Sequence, residues 1–218
     1  MKLHNSIRRE NALTLVEVLI VVFGLAILVA ILLPALAAVK KKDSRLGCVV
    51  NLKQIDLAYR IWEGDNGNLY PTSVSITNGG AMESAATGDV VTVFQVMSNE
   101  LSTPKILVCS QDTAHTWATN FATGFSARNI SYFVGADAKE ANPQMMLSGD
   151  DNFEIGGVPV ESGLLQISTN TPIAWSAARH RHAGNVAMTD GSVQQLTTSG
   201  LQQAFQNTGA ATNRIAIP

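Results

Sequence analysis

The sequence predicts an α+β fold in which a long N-terminal helix packs on an antiparallel β-sheet. Three observations lead to this prediction. An uncharged apolar run lies near the N-terminus, and it continues into a segment whose apolar residues recur every three or four positions. Beyond Pro71 the period falls to two and turn-forming residues multiply. The predicted segments are 1–12 (polar and basic), 13–39 (membrane helix), 40–64 (amphipathic continuation) and 65–218 (globular and β-rich).

The apolar run is long enough to cross a membrane. Val18 to Val39 contains no charged residue, and as a helix it would span roughly 33 Å, against about 30 Å for a bilayer core. It is apolar on every side, so it suits lipid or a very large protein core, which a chain of 218 residues with a polar remainder does not offer. A secretory signal is the competing interpretation, since Ala35-Leu36-Ala37 resembles its cleavage site. The length of the run and the acid inside it argue against a secretory signal.

Glu17 is the single ionisable residue between Leu13 and Val39. On insertion scales a charge at a helix centre costs about 2.5–3.5 kcal/mol, and less near a helix end. Two interpretations remain open at this stage. Either the carboxylate stays wet at the membrane interface, or it meets a positive partner within the membrane.

The amphipathic continuation should carry one apolar stripe that packs on its own domain, built from Leu46, Val49, Leu52, Ile55, Tyr59 and Trp62. Gly64 is the predicted left-handed stop. Pro34 removes one backbone donor and should bend the helix or loosen a turn.

The globular domain should consist mainly of short strands. Predicted strands are Lys105–Ser110, Asn129–Val134, Gln144–Ser148 and Leu164–Ser168, and residues 185–189 and 192–197 should form a hairpin around Asp190-Gly191. A last helix is predicted over Ser199–Asn207, capped by Ser199 with Gln202. Residues 72–89 should be a loop, and Val90–Met97 fits either a strand or a helix.

Composition and charge exclude some functions. Charged residues make up 15% of the chain and aromatic residues 6%, which favours a surface-exposed β-rich domain over a cytosolic enzyme. The net charge is −2 and no basic stripe follows the helix, so no nucleic-acid partner is predicted.

Residues 12–17, ALTLVE, followed by an apolar helix, resemble the class III signal of type IV pilins and type II secretion pseudopilins. The resemblance implies that residues 1–12 are a leader, cut by a prepilin peptidase between Ala12 and Leu13, and that Leu13 is then N-methylated. Ala12 stands where the family usually has glycine, and Leu13 stands where it usually has phenylalanine.

The same resemblance assigns roles in filament assembly. Glu17 is the fifth residue counted from Leu13, where the family's glutamate pairs with the terminal amine of a neighbouring subunit. Thr14 also matches, and Pro34 falls at the position of the family's helix-kinking proline.

The globular part resembles the branch of pilin-like proteins that carries an H-X9-DG domain. The matching residues are Cys48 to Gln54 (C-x-x-N-L-K-Q), Asp65-Asn66-Gly67, Pro71, Pro104 to Cys109, Ser131-Tyr132, Gly149 to Asn152, His180, Asp190 and Gly191. The resemblance implies a pilin-like fold and a class of protein, without a specific task.

The function that the resemblance implies is that of a structural subunit of a type IV pilus or a type II secretion pseudopilus. Its partners would be identical or related subunits, the prepilin peptidase, the inner membrane and an assembly platform. The N-terminus would be cytoplasmic and the globular domain periplasmic, later in a filament or at the cell surface. The alternative is a membrane-anchored periplasmic binding protein or enzyme that never polymerises.

The sequence points to no enzyme, no cofactor and no metal. No serine or cysteine lies in a nucleophile motif such as G-x-S-x-G, and Asp150-Asp151-Asn152 lacks EF-hand spacing. His180 and Asp190 are predicted to be structural, with the His180 ring bonded to nearby backbone. Cys48 and Cys109 form either a disulfide or two buried thiols.

Overall fold

The computed structural model describes the backbone of residues 14–218 and the side chains of residues 14–34 and 46–218. The predictions on the leader, on Ala12 and on Leu13 lie outside these residues. The chain divides into two compact units, the first ending at Asp43 and the second covering Ser44–Pro218. The fold is α+β, with an N-terminal apolar helix and an antiparallel sheet.

Helix α1 runs from Leu15 to Asp65 and includes Pro34. Its stretch Leu15–Pro34 has a mean hydropathy of 3.1 and none of it is buried, so it is long and apolar enough to cross a membrane. Gly64 was predicted to end the helix in the left-handed conformation, and this is wrong, because the helix continues to Asp65. The left-handed residues are Gly67 and Asn68, with φ of 70° and 59°, and the Asn68 amide bonds the Glu63 carbonyl.

Four short helices and nine strands follow among the described residues. The helices are α2 (Met82–Thr87), α3 (Val90–Val96), α4 (Ser98–Leu101) and α5 (Thr198–Asn207). The strands are β1 (Tyr132–Gly135), β2 (Met146–Asp150), β3 (Phe153–Ile155), β4 (Val158–Pro159), β5 (Gly163–Ser168), β6 (Ile173–Trp175), β7 (Ala183–Met188), β8 (Val193–Thr197) and β9 (Thr212–Ile217). Single turns of 3-10 helix cover Pro71–Ser73, Ile76–Asn78, Pro104–Leu107 and Ala127–Asn129.

The strands form two sheets, and every described pairing is antiparallel. The larger sheet has the order β5-β9-β1-β2-β7-β8, and the smaller has the order β4-β3-β6. The larger sheet buries both faces, because successive side chains of a strand point to opposite sides. One face packs against residues Cys48–Trp62 of α1 through Tyr132, Val134, Leu147, Ala187 and Ala216. The other packs against α5 and the smaller sheet through Phe133, Met146, Val186, Met188, Ile215 and Ile217.

Several predicted elements differ from the structure. Lys105–Ser110 is not a strand, because Pro104 starts a 3-10 turn there that the Thr103 side chain caps. The stretch 72–89 contains two 3-10 turns and α2 rather than loop alone. Residues Val90–Val96 are helical, since the Asp89 carboxylate accepts hydrogen bonds from the first free amides.

The elements of the C-terminal part agree more closely with the prediction. Strand β5 and the β7–β8 hairpin form as predicted. Within the hairpin turn only Gly191 has a positive φ, 83°, and its amide bonds the Met188 carbonyl. Helix α5 is capped by Thr197 instead of Ser199, because the Thr197 hydroxyl accepts from the Gly200 amide.

Candidate functional site

Thr14 and Glu17 form a reciprocal cap at the start of α1. The Thr14 amide donates to Glu17 Oε2 over 2.8 Å, and the Glu17 amide donates to Thr14 Oγ1 over 3.3 Å. This is the capping-box arrangement, and the spacing T-x-x-E was the sequence signal that could have revealed it. Among the ion pairs of the described residues none includes Glu17. The cap supplies hydrogen-bond donors to the carboxylate. No described residue places a positive charge next to it.

The second half of α1 has two apolar faces. Leu52, Ile55, Tyr59 and Trp62 are buried in the core, as predicted. Leu46 was predicted to belong to the apolar stripe that packs on the domain, but its side chain is 49% exposed. Val50, Leu57 and Ile61 are exposed to a similar extent, between 46% and 56%. At 100° per residue these four side chains fall within about 60° of one another, on the side of the helix opposite to the core. We call Leu46, Val50, Leu57 and Ile61 the exposed stripe.

The Asp190-Gly191 turn is hydrogen-bonded to two basic side chains of α1. Lys53 Nζ donates to the Gly191 carbonyl over 2.8 Å, and Arg60 Nη2 donates to the Thr189 carbonyl over 2.8 Å. Hydrogen bonds from Ser192, one of them a 2.8 Å bond from its amide, lower the pKa of Asp190 from its ordinary value. The predicted structural residues Asp190 and Gly191 therefore sit in a turn that α1 holds by two cations.

His180 reaches a buried cluster of polar side chains. Its Nε2 lies 3.3 Å from Cys109 Sγ, 3.3 Å from Asp150 Oδ2 and 3.4 Å from Asn185 Nδ2. These three contacts are with side chains, so the predicted bond from the ring to backbone stays a prediction. Asp150 Oδ2 also accepts from the Asn185 amide over 2.7 Å.

Cys48 of α1 and Cys109 are joined as a disulfide in the structure. Beside it, Asn51 Nδ2 donates to the Val108 carbonyl over 3.2 Å and to the Tyr132 hydroxyl over 3.3 Å. Covalent and hydrogen-bonding contacts thus attach one turn of α1 to the segment that precedes β1.

A buried arginine cluster lies next to these residues, and no sequence pattern predicted it. Arg179 Nη1 is 2.9 Å from Asp112 Oδ2, its Nη2 pairs with Asp151 Oδ1, and its Nη1 donates to the Ser131 carbonyl over 3.0 Å. Burial alone would raise the pKa of Asp112. The His115 ring, the Arg179 charge and the Ser131 hydroxyl outweigh that effect and hold the pKa well below its usual range.

This polar region does not have the geometry of a Cys-His-Asp triad. In a Cys-His-Asp triad the acid bonds the ring nitrogen that faces away from the nucleophile. Here Cys109 and Asp150 approach the same nitrogen of His180, and the Cys109 side chain is fully buried. Among the described residues, Cys48, Cys109 and His180 could hold a metal ion, because their ligand atoms lie within 4.8 Å of one another.

The motif residues that are far apart in the sequence meet where α1 packs on the sheet. Cys48, Cys109, Asp150 and His180 are neighbours in one cluster. Gly191 contacts Lys53, which lies about one and a half turns beyond Cys48 on the same helix. In comparisons with known proteins, no family model matches the chain, and no curated protein or solved structure shows significant similarity to it.

Proposed function

We propose that this chain is a structural subunit of a type IV pilus or a type II secretion pseudopilus, with a pilin-like fold. It would enter the inner membrane with its N-terminus cytoplasmic and its globular domain periplasmic. A prepilin peptidase would cut between Ala12 and Leu13, Leu13 would be methylated, and the subunit would polymerise through α1 on an assembly platform.

The observation that carries this proposal is the exposed stripe. A simple membrane anchor needs only the apolar stretch Leu15–Pro34, which lipid can cover. The exposed stripe lies in the second unit, on a helix whose opposite face is already in the core. Side chains of this kind, aligned along one helix face, are suited to packing against another helix. A neighbouring subunit of the same kind would supply that helix.

Glu17 would supply the register of the polymer. In the single chain the Glu17 carboxylate accepts hydrogen bonds from Thr14, which neutralise none of its charge. A carboxylate moved into an apolar environment needs a counter-charge, since an unpaired buried charge costs several kcal/mol. The terminal amine of an adjacent subunit would provide that charge at one axial position only.

Two substitutions of Glu17 separate its charge from its cap. Glu17→Gln keeps an acceptor for the capping box and removes the charge, whereas Glu17→Ala removes both. We expect both variants to accumulate in the membrane and to be lost from sheared filaments. The measurement is immunoblotting of shear and membrane fractions, with electron microscopy. Incorporation of Glu17→Gln at the wild-type level would refute the role of the charge.

The exposed stripe is tested separately. Leu57→Lys should leave the fold intact, because this side chain is 56% exposed, and should abolish incorporation by placing a charge between helices. Leu69→Lys is the matched control, since Leu69 is 48% exposed but lies beyond the end of α1. Filaments that form normally with Leu57→Lys would favour the alternative of an anchored protein that does not polymerise.

A further inference from the structure

Two cysteines and a histidine bring three metal-ligating atoms together in the second unit. The sulfur atoms of Cys48 and Cys109 and a ring nitrogen of His180 all lie within 4.8 Å of one another. All three residues are buried, His180 at 4% exposure. The His180 ring also contacts Asp150 and Asn185, so the three ligating atoms lie in a buried polar cluster.

The distances around His180 fit a tetrahedral zinc site. Zinc–sulfur bonds of about 2.3 Å and zinc–nitrogen bonds of about 2.0 Å place ligating sulfur and nitrogen atoms about 3.5 Å apart. The observed separation of Cys109 Sγ and His180 Nε2 is 3.3 Å. The two sulfur atoms, once reduced, need to separate to about 3.8 Å, which rotation of two cysteine side chains provides.

Asp150 lies beside the same ring. Its Oδ2 is 3.3 Å from His180 Nε2 and accepts from the Asn185 amide over 2.7 Å. Asp150 is outside the group of three residues whose ligand atoms lie within 4.8 Å of one another, so it is a neighbour of the site and not one of its ligands. Its fully buried carboxylate would add negative charge close to a bound cation.

The backbone that positions His180 is also unusual. His180, Arg181 and His182 have φ of 51°, 56° and 59°, three consecutive residues in the left-handed region without a glycine. L-residues adopt this conformation at an energetic cost, and such stretches concentrate at functional sites. The turn directs the His180 ring towards Cys109 and Asp150.

We propose that the reduced chain binds one zinc ion through Cys48, Cys109 and His180. Two thiolates and an imidazole favour zinc over calcium or magnesium, which prefer oxygen ligands. The disulfide and the metal site use the same sulfur atoms and exclude each other. The site is independent of filament assembly, because the exposed stripe and Glu17 take no part in it.

The chemistry balances with a reductant. A dithiol or a phosphine delivers two electrons to the disulfide and yields two thiols. The dithiol becomes a disulfide, or the phosphine takes an oxygen atom from water and becomes its oxide. Each thiol then releases its proton to solvent as its sulfur binds the cation.

The experiment uses the full-length chain in detergent micelles, reduced with a phosphine that is then removed anaerobically. Titration with Co²⁺ should give thiolate charge-transfer and tetrahedral d–d absorption that saturates at one ion per chain and disappears when Zn²⁺ is added. The unreduced chain should give neither band. A reduced, folded chain without these bands would overturn the proposal.

His180→Ala should weaken Co²⁺ binding at least 10-fold. The matched control is His182→Ala, from the same left-handed turn, whose ring Nδ1 faces the Trp175 carbonyl at 3.1 Å and should be dispensable. Equal affinity in His180→Ala and the wild type would remove His180 from the site and overturn the proposal. If reduction unfolds the chain, Zn²⁺ should restore the wild-type circular dichroism and fail to restore that of His180→Ala. A wild-type chain that stays unfolded with Zn²⁺ would also overturn it.

Discussion

Replacing Arg179 by methionine should destabilise the globular unit more than any other loss of a single charge. The substitution keeps a long apolar side chain and removes the guanidinium. It leaves Asp112 and Asp151 with side-chain exposures of 4% and 8% and without their cation. Breaking a buried ion pair by removing one partner costs about 3–5 kcal/mol, because the remaining charge is uncompensated.

An exposed pair in the same chain provides the control. Arg214 contacts Asp137 with side-chain exposures of 42% and 30%. Exposed ion pairs contribute about 0–1 kcal/mol, so Arg214→Met should cost no more than that. The assay is urea unfolding of the full-length chain in micelles at pH 7, followed by tryptophan fluorescence. A loss below about 1 kcal/mol for Arg179→Met would refute the argument from burial.

Acidification gives an independent check on the same residues. In the wild type the pKa of Asp112 is lowered by folding, so its contribution is present above the unfolded pKa of about 3.9 and is lost as the pH falls through the folded pKa. In Arg179→Met the Arg179 charge no longer lowers the pKa of Asp112, so the folded pKa should lie higher than in the wild type and the variant should lose less stability on acidification. The free-energy difference between the two proteins should therefore shrink from pH 7 to pH 4. A constant difference would contradict this assignment.

Two further predictions concern packing and the cross-link. Gly184→Ala should cost about 1–3 kcal/mol, because the new Cβ would lie 2.5 Å from the Trp175 ring, whereas Gly64→Ala in α1 meets no atom within 4 Å and should be neutral or stabilising. Replacing Cys48 and Cys109 together by alanine opens a loop of sequence separation 61 and should lower the unfolding free energy by about 4 kcal/mol, measured with urea. Two free thiols in the unfolded, unreduced wild type would show that the disulfide prediction is wrong.

The elements that the sequence predicts well are those with local signals. The β7–β8 hairpin carries an Asp-Gly dipeptide between strand-forming runs. Helix α5 was predicted over nearly the right residues, although its cap is Thr197 and not Ser199. The apolar stretch of α1 needs no partner to be recognised, because its length and hydropathy are properties of the segment alone.

The elements that the sequence predicts poorly depend on distant partners. Residues 105–110 are rich in β-branched and apolar side chains, yet they enter the core from a 3-10 turn, because Pro104 begins that turn and the Thr103 side chain caps it. Strand β9 was not predicted, because Thr212–Ile217 shows no alternation: its first three residues are polar and its last three are apolar and buried. It lies between β5 and β1, and only the pairing with both makes it a strand. Strands β3 and β6 have three residues each, which is too short for a period to be recognised.

The candidate site divides in the same way. The Thr14–Glu17 cap has a recognisable spacing and could have been predicted from four residues. The Arg179 cluster could not, because Asp112, Ser131 and Asp151 reach it from three separate segments. No local pattern indicates that a particular arginine will be buried, so this cluster follows from tertiary structure alone.

The polar contacts of α1 explain why one face of the helix remains available. Lys53 and Arg60 are seven residues apart, close to two helical turns, so both side chains reach the same hairpin turn. Cys48 and Asn51 attach the preceding turns of the helix to the segment before β1. Because these bonds fix the rotation of the helix about its own axis, they also fix the direction in which the exposed stripe points. Under the proposed function, a subunit that packs against copies of itself would need that direction to be the same in every copy, and the contacts of Cys48, Asn51, Lys53 and Arg60 set it.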